Sequence, residues 1–392
     1  MKKKRILIVA PSNKGTIAMC TLNLYKAFFE NPSFEVKCVI VHRFRNGLSE
    51  FEECESCVTY VSSIYTKFFG LIKQTLWLKS IKQNYRPDIT ISTMNSCSVI
   101  NVLSGGYEKK VGIIHCPHTQ TIALGYIIYL YTLFIFRFIF PKLDKLACVS
   151  EEIKDSILNS FSCYKHKYVE VIANLHNMNE IMTKSNEQIS SDEEKIITSN
   201  SLLYLGRLDK NKAPMRALKA FNLAIESLPK NANLLFIGND QDNLLASLEA
   251  YVRCNSISNR VYFLGFQSNP YKYLARVKCL ISTSYSEGLP GAMVEALYLN
   301  KPVISTNSSK GVWEILSCHE YYQPLLDDIF VTNDGVISSN LSVKEKSKKE
   351  FDILNLSKAI LNIYEKKKQV SFRFNEQLAP DIVIEKILRY II

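Results

Sequence analysis

The sequence predicts an α/β protein: two Rossmann-like doubly wound domains facing a cleft. Three observations predict it. The chain has 392 residues, which suits two domains better than one. Short apolar runs alternate with helical stretches, the pattern of parallel strands joined by crossover helices. That alternation breaks once, at a polar stretch, and then resumes.

The first series begins at Arg5–Ala10 (RILIVA), an apolar run suited to a strand covered on both faces. Gly15 to Phe29 follows as a helix, then Phe34–Val41 (FEVKCVIV) as a strand. Phe69–Asn84 reads as a helix stopped before Arg86–Pro87. Asp88–Thr93, Val111–His115, Lys145–Ser150 and Tyr168–Ile172 are further strand candidates. Residues 1–174 thus form a first domain, and the polar residues 175–200 an interdomain connection. The second domain, 201–375, repeats the plan: strands at Leu202–Leu205, Asn233–Gly238, Val261–Gly265, Val277–Ser284 and Pro302–Thr306. Helices are expected at Ala213–Leu228, Pro290–Leu299 and about Leu354–Lys367. Residues 376–392 hold a last helix, about Pro380–Ile391, expected to pack back on the first domain.

Composition narrows the class. Hydrophobic residues are 47% and charged residues 22%, which excludes disordered, collagen-like and mini-protein scaffolds. Eleven cysteines at irregular spacing, several inside apolar runs, read as free thiols in a reducing compartment. The basic start MKKKR precedes an apolar run, Ile6–Ala10, too short for a secretory signal. A cytoplasmic protein is therefore expected. The net charge of +11 is uneven: residues 1–174 carry 22 Lys+Arg against 13 Asp+Glu, the remainder 26 against 24. An anionic membrane, a phosphorylated substrate or simple solubility would each account for this. Nucleic acid is disfavoured, because no zinc-finger spacing, RNA-binding aromatic motif or compact basic helix is present.

The chemistry concentrates in SEGLPGAMVEALYLNKPVIST, Ser286 to Thr306. The loop leaves a strand's carboxyl end, where open parallel sheets place ligands. Gly288 and Gly291 flank Pro290, and proline suits the first helical turn. A helix starting there offers unsatisfied N–H groups and a positive dipole end to a phosphate. Glu287 and Glu295 lie eight positions apart, and carboxylates there can accept hydrogen bonds from sugar hydroxyls. A second segment, YLGRLDKNKAP, sends Arg207 and Lys212 from the end of another strand. A guanidinium fork and an ammonium are two ways to hold a diphosphate. Either segment alone would also pass as ordinary surface charge.

Together these segments resemble the family 4 retaining glycosyltransferases of the GT-B fold, of the bacterial surface-polysaccharide type. EGLPGAMVE is similar to that family's E-x7-E motif, GRLDKNK to its G-R-L-x-x-x-K segment, and VEVIANLHN at 169–177 to its interdomain passage. ACVSEEIKD, VYFLGF and TNSSKGVWEIL fit as well. The resemblance spans most of the chain and is densest from 202 to 316. It implies that Arg207 and Lys212 hold the donor diphosphate, that Glu287 meets the sugar hydroxyls beside Gly288, Leu289 and Pro290, and that Glu295 binds the ribose. Glu314 would assist near the donor. In the first domain, Gly15 and His115 would line the acceptor side, with His118 as the alternative to His115.

The resemblance further implies a UDP- or GDP-sugar as donor, no cofactor and no metal. A glycan or polyprenyl-diphosphate-linked acceptor is implied in O-antigen, capsule or lipopolysaccharide synthesis. Three departures stand out: Ala213 where glycine is usual, a first loop PSNKGTIA with Gly15 alone, and NDQD after NLLFIG. They keep a degenerate, non-catalytic subunit in play, beside a sugar-nucleotide epimerase on the same architecture. Asp240-Gln241-Asp242 reads as a solvated turn in preference to a metal site, and Cys54-x-x-Cys57 has no second ligand pair. No G-x-S-x-G elbow is present.

Ile122–Phe140 (IALGYIIYLYTLFIFRFIF) holds 19 residues with one charge, Arg137, and seven aromatics. A bilayer span would put the flanking strands on opposite sides of a membrane, whereas they should share a sheet. The readings left are a helix packed on its own domain and one that dips into the interface of an anionic inner membrane.

Overall fold

Apolar runs become the strands of two separate sheets. The computed structural model describes residues 3–44, 48–57, 64–115, 118, 125–164, 168–316, 322–365 and 380–389. The chain divides into one unit of residues 1–176 and 376–392 and another of 177–375.

In the first unit, β1 (Lys4–Ser12) leads through α1 (Thr16–Glu30) to β2 (Phe34–His42) and the short β3 (Glu55–Ser56). The chain then returns through α2 (Ile64–Tyr85) to β4 (Ile89–Thr93) on the other side of β1. It continues through α3 (Asn95–Leu103), β5 (Lys109–Ile114), α4 (Tyr126–Phe134), β6 (Lys145–Cys148), α5 (Glu151–Ser160) and β7 (Tyr168–Val171). The seven strands run in the order β3-β2-β1-β4-β5-β6-β7, every neighbouring pair parallel. Ile6 to Ala10 are fully buried, which explains an unbroken apolar run where a half-exposed strand would alternate.

The second unit opens with α6 (Met178–Ser185) and α7 (Ser191–Ile196), followed by β8 (Leu202–Leu205), α8 (Pro214–Ala224) and β9 (Leu234–Ile237). Next come α9 (Leu245–Cys254), β10 (Val261–Gly265), α10 (Tyr271–Leu274), β11 (Cys279–Ser282), α11 (Gly291–Tyr298) and β12 (Val303–Thr306). α12 (Lys310–Ile315), the hairpin of β13 (Ile329–Val331) and β14 (Gly335–Ser338), and α13 (Lys349–Glu365) complete it. The order is β10-β9-β8-β11-β12-β14-β13, parallel except for the antiparallel edge strand β13. α14 (Pro380–Leu388) belongs to the first unit, where it packs on α1.

One sequence expectation is revised, one holds and one element went unforeseen. The polar stretch read as a connection is folded within the second unit. Asn177 caps α6, and Ser190 with Glu193 forms a capping box on α7. Polarity there reflects two short surface helices. Second, β5 and β6 are adjacent parallel partners, which excludes a membrane crossing between them. Its described part is α4, a π-helical turn at Ile135–Ile139 and a 3-10 turn at Phe140–Lys142; residues 122–124 lie outside the described residues. Among the described residues no helix is long and apolar enough to cross a membrane. Third, the β13–β14 hairpin went unforeseen, although Asn333-Asp334-Gly335 is a recognisable turn signal.

Candidate functional site

In each sheet the winding direction reverses at one place, and there the loops splay apart to leave a crevice at the strands' carboxyl ends. In the second unit that place lies between β8 and β11, which are neighbours. The loop after β8 carries Arg207 and Lys212; the loop after β11 carries Glu287 to Pro290. The two segments that stood out in the sequence, about 75 residues apart, therefore meet.

Their meeting is bonded throughout. Lys212 Nζ lies 2.5 Å from Glu287 Oε1, which also accepts a hydrogen bond from Ser284 Oγ at 2.5 Å. The backbone N–H of Tyr285 donates to Asn211 O (2.8 Å), and Asn211 Nδ2 donates to Ser286 O (2.8 Å). Thr283 Oγ1 lies within reach of the carbonyls of Lys212 (3.1 Å) and Ala213 (3.0 Å). Ala213 adopts φ 48°, ψ 56°, the left-handed conformation that favours glycine. The turn keeps its shape with alanine in it.

Arg207 is half exposed, and its guanidinium is held between Asp209 (3.0 Å) and Gln241 Oε1 (2.8 Å). Buried Asp209 also accepts the Lys212 N–H at 2.7 Å. It thus positions both cations, a role the sequence reading missed although Asp209 stands inside GRLDKNK. Beneath them the buried Tyr204 donates its hydroxyl to Arg207 O at 3.0 Å, and burial raises its pKa. Gly238 has φ 154°, and a Cβ there would meet Gly206 O at 1.8 Å, so β8 and β9 end in close backbone contact.

The other side of the Glu287 loop is braced by the segment after β12. Glu287 N donates to Ser308 O (3.3 Å) and Ser309 Oγ to Gly288 O (3.2 Å). Gly311 in α12 sits so close that a Cβ would lie 2.4 Å from Gly288 O. This contact brings α12, with its half-buried Glu314, against the loop. Arg216 supports from below: it is buried, lies 4.8 Å from the Tyr285 ring centroid, and bonds Thr283 O, Asn340 and Asp352.

Among the described residues no side chain caps α11, whose N-cap is Pro290. Lys212, Pro290 and the first residues of α11 line one depression with Tyr204 and Leu280 to Ser284. Glu295 lies in α11, half-buried, with the Tyr271 hydroxyl 3.4 Å from its carboxylate. Tyr271 is a second residue the sequence reading passed over. An ammonium, a guanidinium and an uncapped helix start can hold an anion, and the carboxylates can accept hydroxyl donors.

The Asp240–Asp242 pair is occupied structurally. Asp240 accepts the N–H groups of Leu244 (2.7 Å) and Leu245 (3.1 Å), and Asp242 that of Lys210 (2.8 Å). Among the described residues, no group of three or more His, Cys, Asp or Glu is arranged for a metal.

In the first unit, Gly15 (φ 91°) precedes α1 at the carboxyl end of β1. His115 follows β5 and lines a depression with Cys20, Thr93 and the α14 residues Val383 and Ile387. Its Nε2 is buried without a hydrogen-bond partner among the described residues, and burial pushes its pKa down to about 4. His118 is instead a core residue. It packs on Phe136 and Phe161, and its Nδ1 lies 3.2 Å from Ser156 Oγ. The structure thus gathers Arg207, Lys212, Glu287, Gly288, Leu289, Pro290, Glu295 and Glu314 in one unit, and Gly15 and His115 in the other.

Comparison with known proteins is consistent with this geometry. Residues 185–324 match the family model of glycosyl transferases group 1. An uncharacterized glycosyltransferase of Methanocaldococcus jannaschii is 25% identical over 347 residues, 82% of each chain. The Campylobacter jejuni GalNAc-alpha-(1->4)-GalNAc-alpha-(1->3)-diNAcBac-PP-undecaprenol alpha-1,4-N-acetyl-D-galactosaminyltransferase is 25% identical over 315 residues, 79% of this chain and 80% of its own. Among solved structures, Anabaena HepE in complex with UDP and glucose superposes with TM-score 0.64 at 13% identity, covering 92% of this chain and 97% of that one. Sucrose-phosphate synthase of Thermosynechococcus elongatus gives 0.66 at 13%, covering 98% and 99%. The chain has the GT-B fold of these structures, and residues 185–324, almost all within its second unit, are similar to the glycosyl transferases group 1 model.

Proposed function

We propose that the protein moves a sugar from a UDP- or GDP-sugar to a hydroxyl of a polyprenyl-diphosphate-linked glycan. The anomeric configuration is retained, and the product serves bacterial surface-polysaccharide synthesis. The observation that carries this reading is the 2.5 Å Lys212–Glu287 pair beside the uncapped start of α11. Breaking the anomeric bond leaves negative charge on the diphosphate, and groups already aimed at that charge lower the barrier without reorganising. In this reading Lys212 and Arg207 meet the diphosphate together with the α11 N–H groups. Glu287 accepts from donor-sugar hydroxyls, with Gly288, Leu289 and Pro290 shaping the loop. Glu295 accepts from the ribose, and Glu314 supports the donor from α12. Gly15 and His115 serve the acceptor, His115 as a neutral imidazole.

The charge is met by side chains and backbone, so the reaction in this reading proceeds without a divalent ion. The lipid-linked acceptor follows the C. jejuni relative, whose name specifies an undecaprenol-diphosphate glycan. In this reading the protein acts on the cytoplasmic side of the membrane that holds such acceptors. The test incubates the protein with a panel of nucleotide sugars and polyprenyl-diphosphate-linked acceptors, with and without EDTA, and determines product anomericity. Transfer with retention in EDTA is expected. Inversion, or dependence on added Mg²⁺ or Mn²⁺, would overturn the corresponding part. A thermal shift with UDP or GDP but no transfer would point to a non-catalytic subunit.

A further inference from the structure

Charge and exposed apolar surface coincide in one part of the first unit. Between Cys57 and Leu143, little more than a fifth of the chain, there are nine Lys+Arg and only two Asp+Glu, Asp88 and Glu108. That surplus is most of the chain's net +11. Glu108 is buried between Lys82 (2.7 Å) and Lys110 (3.5 Å), themselves largely buried, so this cluster adds little surface charge of either sign. The same stretch holds thirteen of the twenty-five large apolar side chains that are exposed among the described residues.

Topology puts these side chains on one layer. α3 and α4 join parallel strands that advance in one direction across the sheet, β4 to β5 to β6. Right-handed crossovers place such helices on a single face. α3 touches both α2 and the turns that continue α4. On α2, Ile72 (43%) and Leu76 (61%) are exposed one helical turn apart. On α4, Tyr126 (71%), Ile127 (82%), Leu130 (46%) and Phe134 (53%) form a stripe at helical spacing. None of α2, α3 and α4 contains an Asp or Glu, and Lys79, Arg137 and Lys142 are exposed on α2 and just after α4. Large exposed apolar patches on soluble proteins mark interaction sites.

We propose that this helical layer is a docking surface for an anionic lipid bilayer, with α4 lying in the headgroup plane and α2 beside it. A nine-residue helix spans about 14 Å, too short to cross but well suited to lie in the interface. The exposed cations Lys79, Arg137 and Lys142, on and beside helices that carry no acid, supply attraction to anionic headgroups. The proposal deepens the lipid-linked acceptor reading and rests on it for its purpose.

The test floats the full chain with phosphatidylcholine vesicles, with or without phosphatidylglycerol and containing no polyprenyl lipid. Flotation with the anionic vesicles only, weakening as salt rises, is expected. The variant Ile72→Ser, Leu76→Ser, Ile127→Ser, Leu130→Ser, Phe134→Ser should lose at least about tenfold in partitioning while keeping its melting temperature. Should it fail to fold, Arg137→Gln, Lys142→Gln decides: it should need markedly more phosphatidylglycerol for the same binding. No flotation of the natural chain, unchanged flotation of the variants, or a solution dimer that the apolar variant splits would overturn the proposal. Transfer to a water-soluble acceptor separates the two readings. If it proceeds without vesicle binding, docking alone falls; if vesicles bind but no donor reacts, the functional reading alone falls.

Discussion

At rest Lys212 spends its charge on Glu287, and among the described residues neither has a second oppositely charged partner. A diphosphate would compete with Glu287 for the ammonium and free the carboxylate to accept from sugar hydroxyls. Replacing Lys212 with Ala should cut turnover on the order of 10²-fold or more, as for other groups that stabilise developing oxyanions. Glu287→Gln should lose activity as well, and the double variant should lose less than the two single losses combined, because the partners share one interaction. Steady-state kinetics on the four proteins checks both statements; Lys212→Ala with near-natural turnover would remove the assignment. Gly311→Ala tests the brace from the other side. Its Cβ would lie 2.4 Å from Gly288 O, so α12 and the Glu287 loop must part. We expect a loss of about 1–3 kcal/mol in urea unfolding and a raised KM for the donor.

Strands and helices differ in how openly the sequence displays them. β1, β5 and β9 are covered on both faces for most of their length and read as apolar runs. The strand–loop–helix setting of Glu287 was legible for the same reason, since β11 and β12 on either side are buried runs. α3 was not legible, because NSCSVINVL carries Ser, Asn and β-branched residues that suit helices poorly. Its Ser98 and Asn101 are buried and bonded to Ser92 and Thr90, pairings that only the tertiary fold supplies. Asp209 was hidden by its ordinariness, as its role depends on a turn that aims it at Arg207 and at the Lys212 N–H.

His115 behaves as a property of its element, placed where β5 ends under α14. Burial holds its pKa near 4, against about 6.5 for an unfolded histidine. The unfolded chain therefore binds the proton first as pH falls. The stabilising contribution is complete above pH 6.5 and is lost as pH drops toward 4. Comparing the natural protein with His115→Gln by urea unfolding, the stability difference should shift against the natural protein between pH 6.5 and 4.5, and stay flat from 7 to 8.

On the scale of the molecule, the first unit is assembled from both ends of the sequence. Lys145, fully buried, donates to the carbonyls of Lys386 and Arg389 at the end of α14 and pairs with Glu170 at 2.8 Å. A positive charge there suits the negative end of the helix. Val383 and Ile387 are buried as well. Removing residues 376–392 should therefore lower the first unit's melting transition strongly, through the two carbonyl acceptors Lys145 loses and the lost apolar cover. The transition of residues 177–375 should be spared. Calorimetry that found both transitions unchanged would refute this.

That arrangement has a consequence during synthesis. Domains generally condense as they leave the ribosome, at roughly 5–20 residues per second. Here the first sheet emerges early but lacks its closing helix until some 200 residues of the other unit have been made. For tens of seconds the newborn chain must hold an unfinished lobe, with Lys145 uncapped and the floor of the His115 depression missing. The first sheet can therefore close only after residues 376–392 have been made, whatever the second unit has done by then.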